Sequence, residues 1–249
     1  MLNGTVGPVG RVVVRHSRPG KVHWKWRLKN ACRWSYLRGW IGKHLLVPLT
    51  TWWGLTVIQS ELSIRVRRLN RAGRFRYQEI RSAQSRLDPS APEYQHLEAR
   101  LRAVQQTYGV WEDYGTVSYR VVTNAGVAFI VSDWNDNSTD ITNFNFHGCG
   151  TGTAEESASD TALQAEATTI LNPDNTRATG TRSTPASNQF RSVGTLTFDG
   201  SAAITEHGLF STSGTGTGTL WDRSVFSAIN VAPGDSIQFT YTVTLQSGG

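Results

Sequence analysis

The chain has 249 residues, room for one large or two ordinary domains, and its 38 % hydrophobic content is enough for a packed core. Charged residues make up 18 %, short of the usual quarter, and Gly, Thr, Ser and Asn fill the gap, which favours strands and turns over charged helices. Two cysteines exclude a disulfide scaffold, and the most apolar run, Leu45 to Ile58, contains Pro48 and is too short to span a bilayer.

The net charge of +6 hides a split. Residues 1–110 carry 20 Lys or Arg against five acids, net +15, and residues 111–249 carry five Arg against fourteen acids, net −9. Such a chain presents two fields: a basic part that seeks phosphate or an acidic protein surface, and an acidic part that solubilises or docks a basic partner. No apolar stretch follows the basic residues of 1–30, so no signal peptide is read there, and a soluble intracellular product is expected. Cys32 and Cys149 fall one in each part; both are expected to be reduced and partly buried, with a bridge between them left open by sequence.

In chain order, residues 1–20 read as an extended basic arm with one β-like run, Arg11 to Arg15. Residues 21–58 hold Trp24, Trp26, Trp34, Trp40, Trp52 and Trp53, with Lys21, Lys25, Arg27, Lys29, Arg33, Arg38 and Lys43 threaded among them. The alternation Trp24-Lys25-Trp26-Arg27 suits an extended segment with one aromatic face. Three uses fit it: packing on its own domain or a neighbouring subunit, stacking on nucleic-acid bases, or lying on a membrane surface.

Residues 60–111 read as a helical hairpin. Val66, Leu69, Gly73, Tyr77, Ile80, Gln84 and Leu87 follow a 3–4 spacing, and Leu97, Leu101, Val104, Tyr108 and Trp111 keep a stricter one. Asp88 to Pro92 separates the two stretches, with Ser90 as N-cap, Pro92 early in the second helix and Gly109 as its stop. The outer face is Arg-rich.

From residue 115 the period is two. Val117, Tyr119 and Val121 alternate with polar residues, as do Val127, Phe129 and Val131, then Phe144 and Phe146, then Phe190, Leu196 and Phe198. Ile237, Phe239, Tyr241, Val243 and Leu245 form the clearest strand. Turn clusters separate these runs, Gly214 to Gly218 reads as a hairpin tip, and one short helix is expected near Ser159 to Thr168. The fold class expected is α+β: an extended arm (1–58) and a helical hairpin (59–112), then an antiparallel β-sandwich or jelly-roll-like domain (113–249).

No chemical motif stands out. His147 and Cys149, with Glu206 and His207 far downstream, lack zinc-site spacing. Asp136 to Asp140 resembles the start of a calcium loop but lacks the following Gly and distal Glu; Asp133 and Asp136 fit a turn whose side chains cap their own backbone better than a weak clasp for a cation. Gly148 to Gly152 invites comparison with a phosphate loop, but Glu155 and Glu156 follow it where phosphate would be repelled. No G-x-S-x-G elbow is present and no carboxylate pair in 133–160 is singled out. No catalytic residue, metal or cofactor is expected.

Three stretches carry a resemblance: Phe144 to Thr161, Glu206 to Ser211, and Leu220 to Leu245. They resemble a widespread group of tailed-bacteriophage virion structural proteins, in which an aromatic strand, an H-G-x-G-T-G-T turn, an E-H-G-[IL]-F strand, a D-R-[ST]-V-F strand and a G-D-S-[IL] strand recur. The resemblance covers residues 115–248 and implies a shared β-fold and a place on the capsid shell or tail, without catalytic residues. Gly148, Gly150 and Gly152 then read as tight-turn glycines, Glu206 and Arg223 as an intra-sheet ion pair, and Asp235 as a turn residue before the last strand.

The function expected from these readings is a non-enzymatic capsid-associated protein (decoration, cement or minor capsid) in the virion. It would bind the major capsid protein or other virion proteins as a homo-oligomer or symmetric array, without contacting a membrane. The partner surface expected is Trp24, Trp26, Arg27, Arg33, Trp34, Arg38, Trp40, Trp52, Trp53, Arg65, Arg67, Arg68, Arg71 and Arg74. A tail, neck or baseplate component is the alternative, then a nucleic-acid-binding protein using residues 11–102, then an enzyme of the tailspike kind.

Overall fold

The strand that reads most plainly in the sequence, β10 (Ser236–Gln246), lies in the middle of the larger of two sheets. Its Ile237, Phe239, Tyr241 and Val243 are buried, and Leu245 ends the run half exposed. The computed structural model describes residues 21–22, 24–46, 57–120, 122–135 and 140–246. The arm expected at 1–20, Trp52 and Trp53 lie outside them.

Strand β10 pairs antiparallel with β7 (Gln189–Thr197) on one side and β2 (Val57–Leu69) on the other. β3 (Gly109–Arg120) follows β2, and the two-residue β1 (Lys21–Val22) joins β3 in parallel. With β6 (Thr181–Ser183) at the far edge, the order is β1-β3-β2-β10-β7-β6. The second sheet runs β5 (Ala178–Thr179), β4 (Phe146–Gly150), β8 (Ala202–Phe210), β9 (Leu220–Val231). Leu62, Ile64 and Phe239 from the first sheet meet Cys149, Ile204 and Phe226 from the second in one core. The chain is an α+β fold whose strands form a sandwich.

Several expected elements differ. Residues 57–69 are a strand, not the start of the helical hairpin. Leu62, Ile64 and Val66 point into the core and alternate with Glu61, Ser63, Arg65 and Arg67, a period of two that the 3–4 spacing of Val66, Leu69 and Gly73 disguises. Trp111 likewise belongs to β3, and that strand runs through the expected boundary between residues 112 and 113.

The hairpin itself is α3 (Arg71–Gln84) and α4 (Pro92–Tyr108). Its seam is the expected one: Tyr77 and Ile80 meet Leu101 and Val104, with Leu69 at the base. Asn70 caps α3, its side-chain oxygen accepting from the Gly73 N–H at 2.9 Å. Pro92 opens α4 as expected, but Ala91 is the N-cap. Ser90 instead gives its N–H and hydroxyl to Asp88, which holds the Asp88 carboxyl below its ordinary value. Gly109 ends α4 as expected and leads directly into β3.

The Trp-rich segment is helical rather than extended: α1 (Trp24–Ala31) and α2 (Trp34–Ile41), followed by a π-helical turn over Gly42–Leu46. Helical spacing gathers Trp26, Arg27 and Asn30 on one face, and that face bridges the edges of the two sheets. Buried Asn30 donates to the Val117 carbonyl on β3 (2.8 Å) and accepts from the Ser227 N–H on β9 (2.9 Å).

Residues 124–135, expected as a strand, form α5 (Asn124–Asn135). Thr123 accepts from the Gly126 N–H (3.0 Å) and donates to the Leu220 carbonyl (2.6 Å), which starts a helix and ties it to β9. The segment is apolar nearly throughout, so its alternation was no guide to period. The helix expected near 159–168 is a series of turns, because the N–H groups of Gln164 and Ala165 are taken by the Glu206 side chain instead of a helical ladder.

Candidate functional site

Four of the described residues expected to grip a partner, Trp26, Arg27, Arg68 and Arg74, are held by bonds within the chain. Trp26 shares its indole N–H between the Ser227 and Ala228 carbonyls (3.1 Å each) and meets Tyr114 edge-on at 4.9 Å. Arg27 bonds the Tyr114 carbonyl and the Asp113 carboxylate. Arg68 contacts Glu112 (2.7 Å), Asp235 (3.3 Å) and the Tyr114 hydroxyl (3.0 Å), and Arg74 reaches both oxygens of Asp235. Arg81, outside the expected set, pairs with Asp199. The charge split is therefore partly closed within the molecule: arginines of the basic half hold carboxylates of the acidic half, and Asp235, expected as a turn residue, is fully buried between them.

The rest are spread out. Arg65 and Arg67 flank the Trp111 ring on the outer face of β2, each 5.2 Å from its centre, and burial pulls the Arg67 guanidinium below its ordinary value. Arg71 is exposed at the start of α3, Arg33 is half-buried, and Trp40 is partly exposed beside His44. Trp24 opens α1, and Trp34 and Arg38 lie on α2. The structure does not bring these residues to one place.

The chemistry-bearing residues of the resembling motifs do converge, at two buried places on opposite faces of the second sheet: the Glu206 cluster under residues 152–165, and the histidines between the sheets. Glu206 on β8 is fully buried. One carboxylate oxygen accepts from the Gly152 and Ala165 N–H groups (2.9 and 2.8 Å); the other accepts from the Gln164 N–H (3.0 Å) and from Arg223 (2.9 Å). Arg223 continues to Asp160 at 3.0 Å, so the expected ion pair is present as part of a larger cluster. The amide-lined hollow that reads as a phosphate loop is thus filled by the protein's own carboxylate. Gly150 and Gly152 answer to this approach rather than to turn geometry. A Cβ on Gly150 or on Gly152 would stand 2.5 Å from a Glu206 oxygen. A second internal pair was not legible in the sequence: buried Arg177 binds Glu166 through two bonds (2.6 and 3.0 Å) over the Phe210 ring.

His147 lies on β4, a strand rather than the expected turn, and meets His207 on β8. His147 Nδ1 is 3.0 Å from His207 Nε2, and His147 Nε2 is 2.8 Å from the Ser192 hydroxyl. Ser192 donates to the Asn145 side-chain oxygen (2.8 Å), and the Asn145 amide donates to the Gly180 carbonyl (2.6 Å). This chain of donors fixes the protons. Ser192 gives its hydrogen to Asn145, so it accepts from His147 Nε2–H. His147 Nδ1 is then an acceptor, which His207 Nε2–H fills, leaving His207 Nδ1 bare and without a partner. Burial holds His147 down to about 3, and burial together with His147 holds His207 well below its ordinary value. Such a dyad cannot activate Ser192 as a nucleophile, because the facing nitrogen already carries a proton, and all four side chains are sealed from solvent.

Gly194 on β7 makes room for this pair. A Cβ there would stand 2.7 Å from His147 Cγ and closer still to Cδ2. The ring is held at both nitrogens and cannot retreat, so Gly194→Ala is expected to destabilise the fold by about 1–3 kcal/mol, seen as a lower thermal midpoint with unchanged cooperativity. An unchanged midpoint would mean that the ring is not fixed there.

No family model, curated protein or solved structure matches the chain.

Among the described residues no three His, Cys, Asp or Glu side chains are grouped to hold a metal. Cys149 is buried in the core, which pushes its thiol well above the usual range, and Cys32 is exposed rather than partly buried; both are free. No described helix is long and apolar enough to cross a membrane.

One opening to the outside is almost wholly apolar. A cavity of about 440 Å³ enters the sandwich at one end, between the start of β2 and the end of β10, beneath α5. Beside it, α5 exposes Val127, Val131 and Trp134, one stripe at 4–3 spacing, with Trp134 81 % exposed. A helix apolar on every side is normally covered on every side.

Proposed function

We propose that the chain is a non-enzymatic structural component of a bacteriophage virion: a capsid-associated decoration, cement or minor capsid protein that seats against the major capsid protein or another virion protein. The sequence support is the set of motifs in residues 115–248, and their side chains take structural places in the interior. The observation that carries the docking role is the apolar end of the sandwich. There the exposed stripe of α5 adjoins Ile58, Ile141 and Leu245 around one cavity, a continuous apolar area of the kind that marks a protein contact. Docking through this end replaces the basic grip expected from sequence, since Arg27, Arg68 and Arg74 already bond partners within the chain. The same commitments weigh against phosphate binding by these three residues.

Quantitative mass spectrometry of purified virions tests the reading, with this protein counted against the major capsid protein. A ratio near unity, or a simple fraction set by shell symmetry, is expected. A few copies per particle would favour the tail, neck or baseplate alternative, and absence from the particle would overturn the structural reading. Val131→Lys, at a half-exposed position on α5, should change fold stability by no more than about 0.5 kcal/mol and reduce incorporation into particles. Full incorporation of this variant would remove α5 from the interface.

A further inference from the structure

The cavity beneath α5 differs from a flat docking patch in having depth and an ordered polarity. Its floor is made by buried side chains from both sheets: Leu209 of β8, Trp221 of β9 and Val243 of β10. Two facing sheets stand about 10 Å apart, so an opening between them is a slot about one chain wide rather than a bowl. At about 440 Å³ the cavity lies within the range of small-ligand sites. Among the described lining residues the polar ones, Arg182 of β6 and Thr142, are both exposed at the mouth. Arg182 donates one N–H to the Thr142 carbonyl at 3.0 Å, which holds the guanidinium at the rim. The group has five N–H donors in all. Asp140 stands near enough for its carboxyl to be lowered slightly by Arg182, after the larger effect of its bonds from Thr142.

From this arrangement we infer that the cavity binds a free single-chain amphiphile with an anionic head, of the fatty-acid carboxylate class. An apolar floor excludes a polar group at depth, because nothing there would replace its lost hydration. The narrow slot favours an unbranched chain. The cation at the mouth selects the sign of the head, since a charge-assisted bond from guanidinium to carboxylate is available there and none to an ammonium. This inference does not depend on where the protein sits in a particle.

The test is calorimetric titration of the purified full-length chain with dodecanoate and with dodecyltrimethylammonium, both kept below micelle formation. Saturable uptake of one dodecanoate per chain is expected, with the cationic amphiphile weaker by roughly tenfold or more, the worth of about one charge-assisted bond. Arg182→Gln should erase that preference, and Thr142→Trp should block entry. Both substitutions are at exposed positions, and an unchanged thermal midpoint shows that each variant folds. Absence of saturable uptake by the unmodified chain would overturn the proposal. So would uptake unaffected by both substitutions, which would place the amphiphile elsewhere. Flotation with phosphatidylglycerol vesicles separates the two sources of an acyl chain. No flotation is expected, and co-flotation lost in Thr142→Trp would overturn the assignment to a free acid.

Discussion

Glu206→Ala is expected to lower the stability of the fold by about 3–5 kcal/mol, the usual loss when one partner of a buried ion pair is removed. Three effects add. The N–H groups of Gly152, Gln164 and Ala165 lose their acceptor in a region closed to water. Arg223, 3 % exposed, keeps Asp160 and nearby carbonyls but loses its fully buried partner. A void opens beside Gly150 and Gly152, whose missing Cβ atoms made the space that Glu206 fills. A domain of this kind has some 5–15 kcal/mol in total, so the variant should lose a large part of its margin and unfold at a much lower urea midpoint. Glu206→Gln keeps the volume and two acceptor positions but points an amide N–H₂ toward donors, so it should fall between the two. Equilibrium urea unfolding of all three chains ranks them. A Glu206→Ala chain within 1 kcal/mol of the parent would mean that water enters this cluster and that its bonds count for little.

The cluster explains why part of the site could be read in advance and part could not. Glu206 and Arg223 were paired from the motif pattern, because they sit on strands that repeat together. The reason for the glycines was missed. Their spacing looks like turn chemistry, and only the fold shows that an oxygen of Glu206, on another strand, stands 2.5 Å from where a Cβ of Gly150 or Gly152 would be. Asp160, Gln164 and Ala165 read as helix in the sequence because no local signal reports a side chain arriving from 41 or 42 residues away.

The same limit applies to the fold. β10 was legible because one face is apolar and the other is Thr and Gln, so its period has one solution. β2 has that period too, but its outward residues include Glu61, Arg65 and Arg67, which helices accept equally well, and its end runs into a true helix at Arg71. α5 had no polar face to set a period. Its helix is decided by Thr123, whose two bonds act across the chain on Leu220 and along it on Gly126. The charge split was legible as composition but not as structure: pairing of Arg68 and Arg74 with Asp235 joins residues more than 160 positions apart. The histidine pair was passed over for a related reason. His147 and His207 lack metal spacing in sequence, and β4 and β8 bring them together as an interior hydrogen-bonded pair.

That pair leads to the second large effect, a loss of stability in mild acid. Both imidazoles are neutral in the fold and both are held below the ordinary value of about 6.5 that they regain on unfolding, His147 down to about 3. Between these limits the unfolded chain binds more protons than the folded one. Stability is therefore complete above about pH 6.5 and falls as pH drops, by up to about 1.4 kcal/mol per pH unit for each histidine. By pH 5 His147 alone should have removed about 2 kcal/mol, and His207 adds to the loss in the same direction. The physical cause lies in the proton assignment. A further proton must go to His207 Nδ1, which has no partner, in a ring packed against Phe239 at 4.5 Å, or to His147 Nδ1, which breaks the bond between the rings. His147→Gln offers Ser192 a donor and His207 an acceptor while removing one titrating group, so it should roughly halve the slope between pH 6.5 and 5. Urea midpoints of both chains at half-unit steps from pH 8 to pH 5 check this. A midpoint that stays level across that range would mean that the fold accepts a charged imidazole in its interior, and the donor chain from Asn145 to His207 would have to be redrawn with water inside the sandwich.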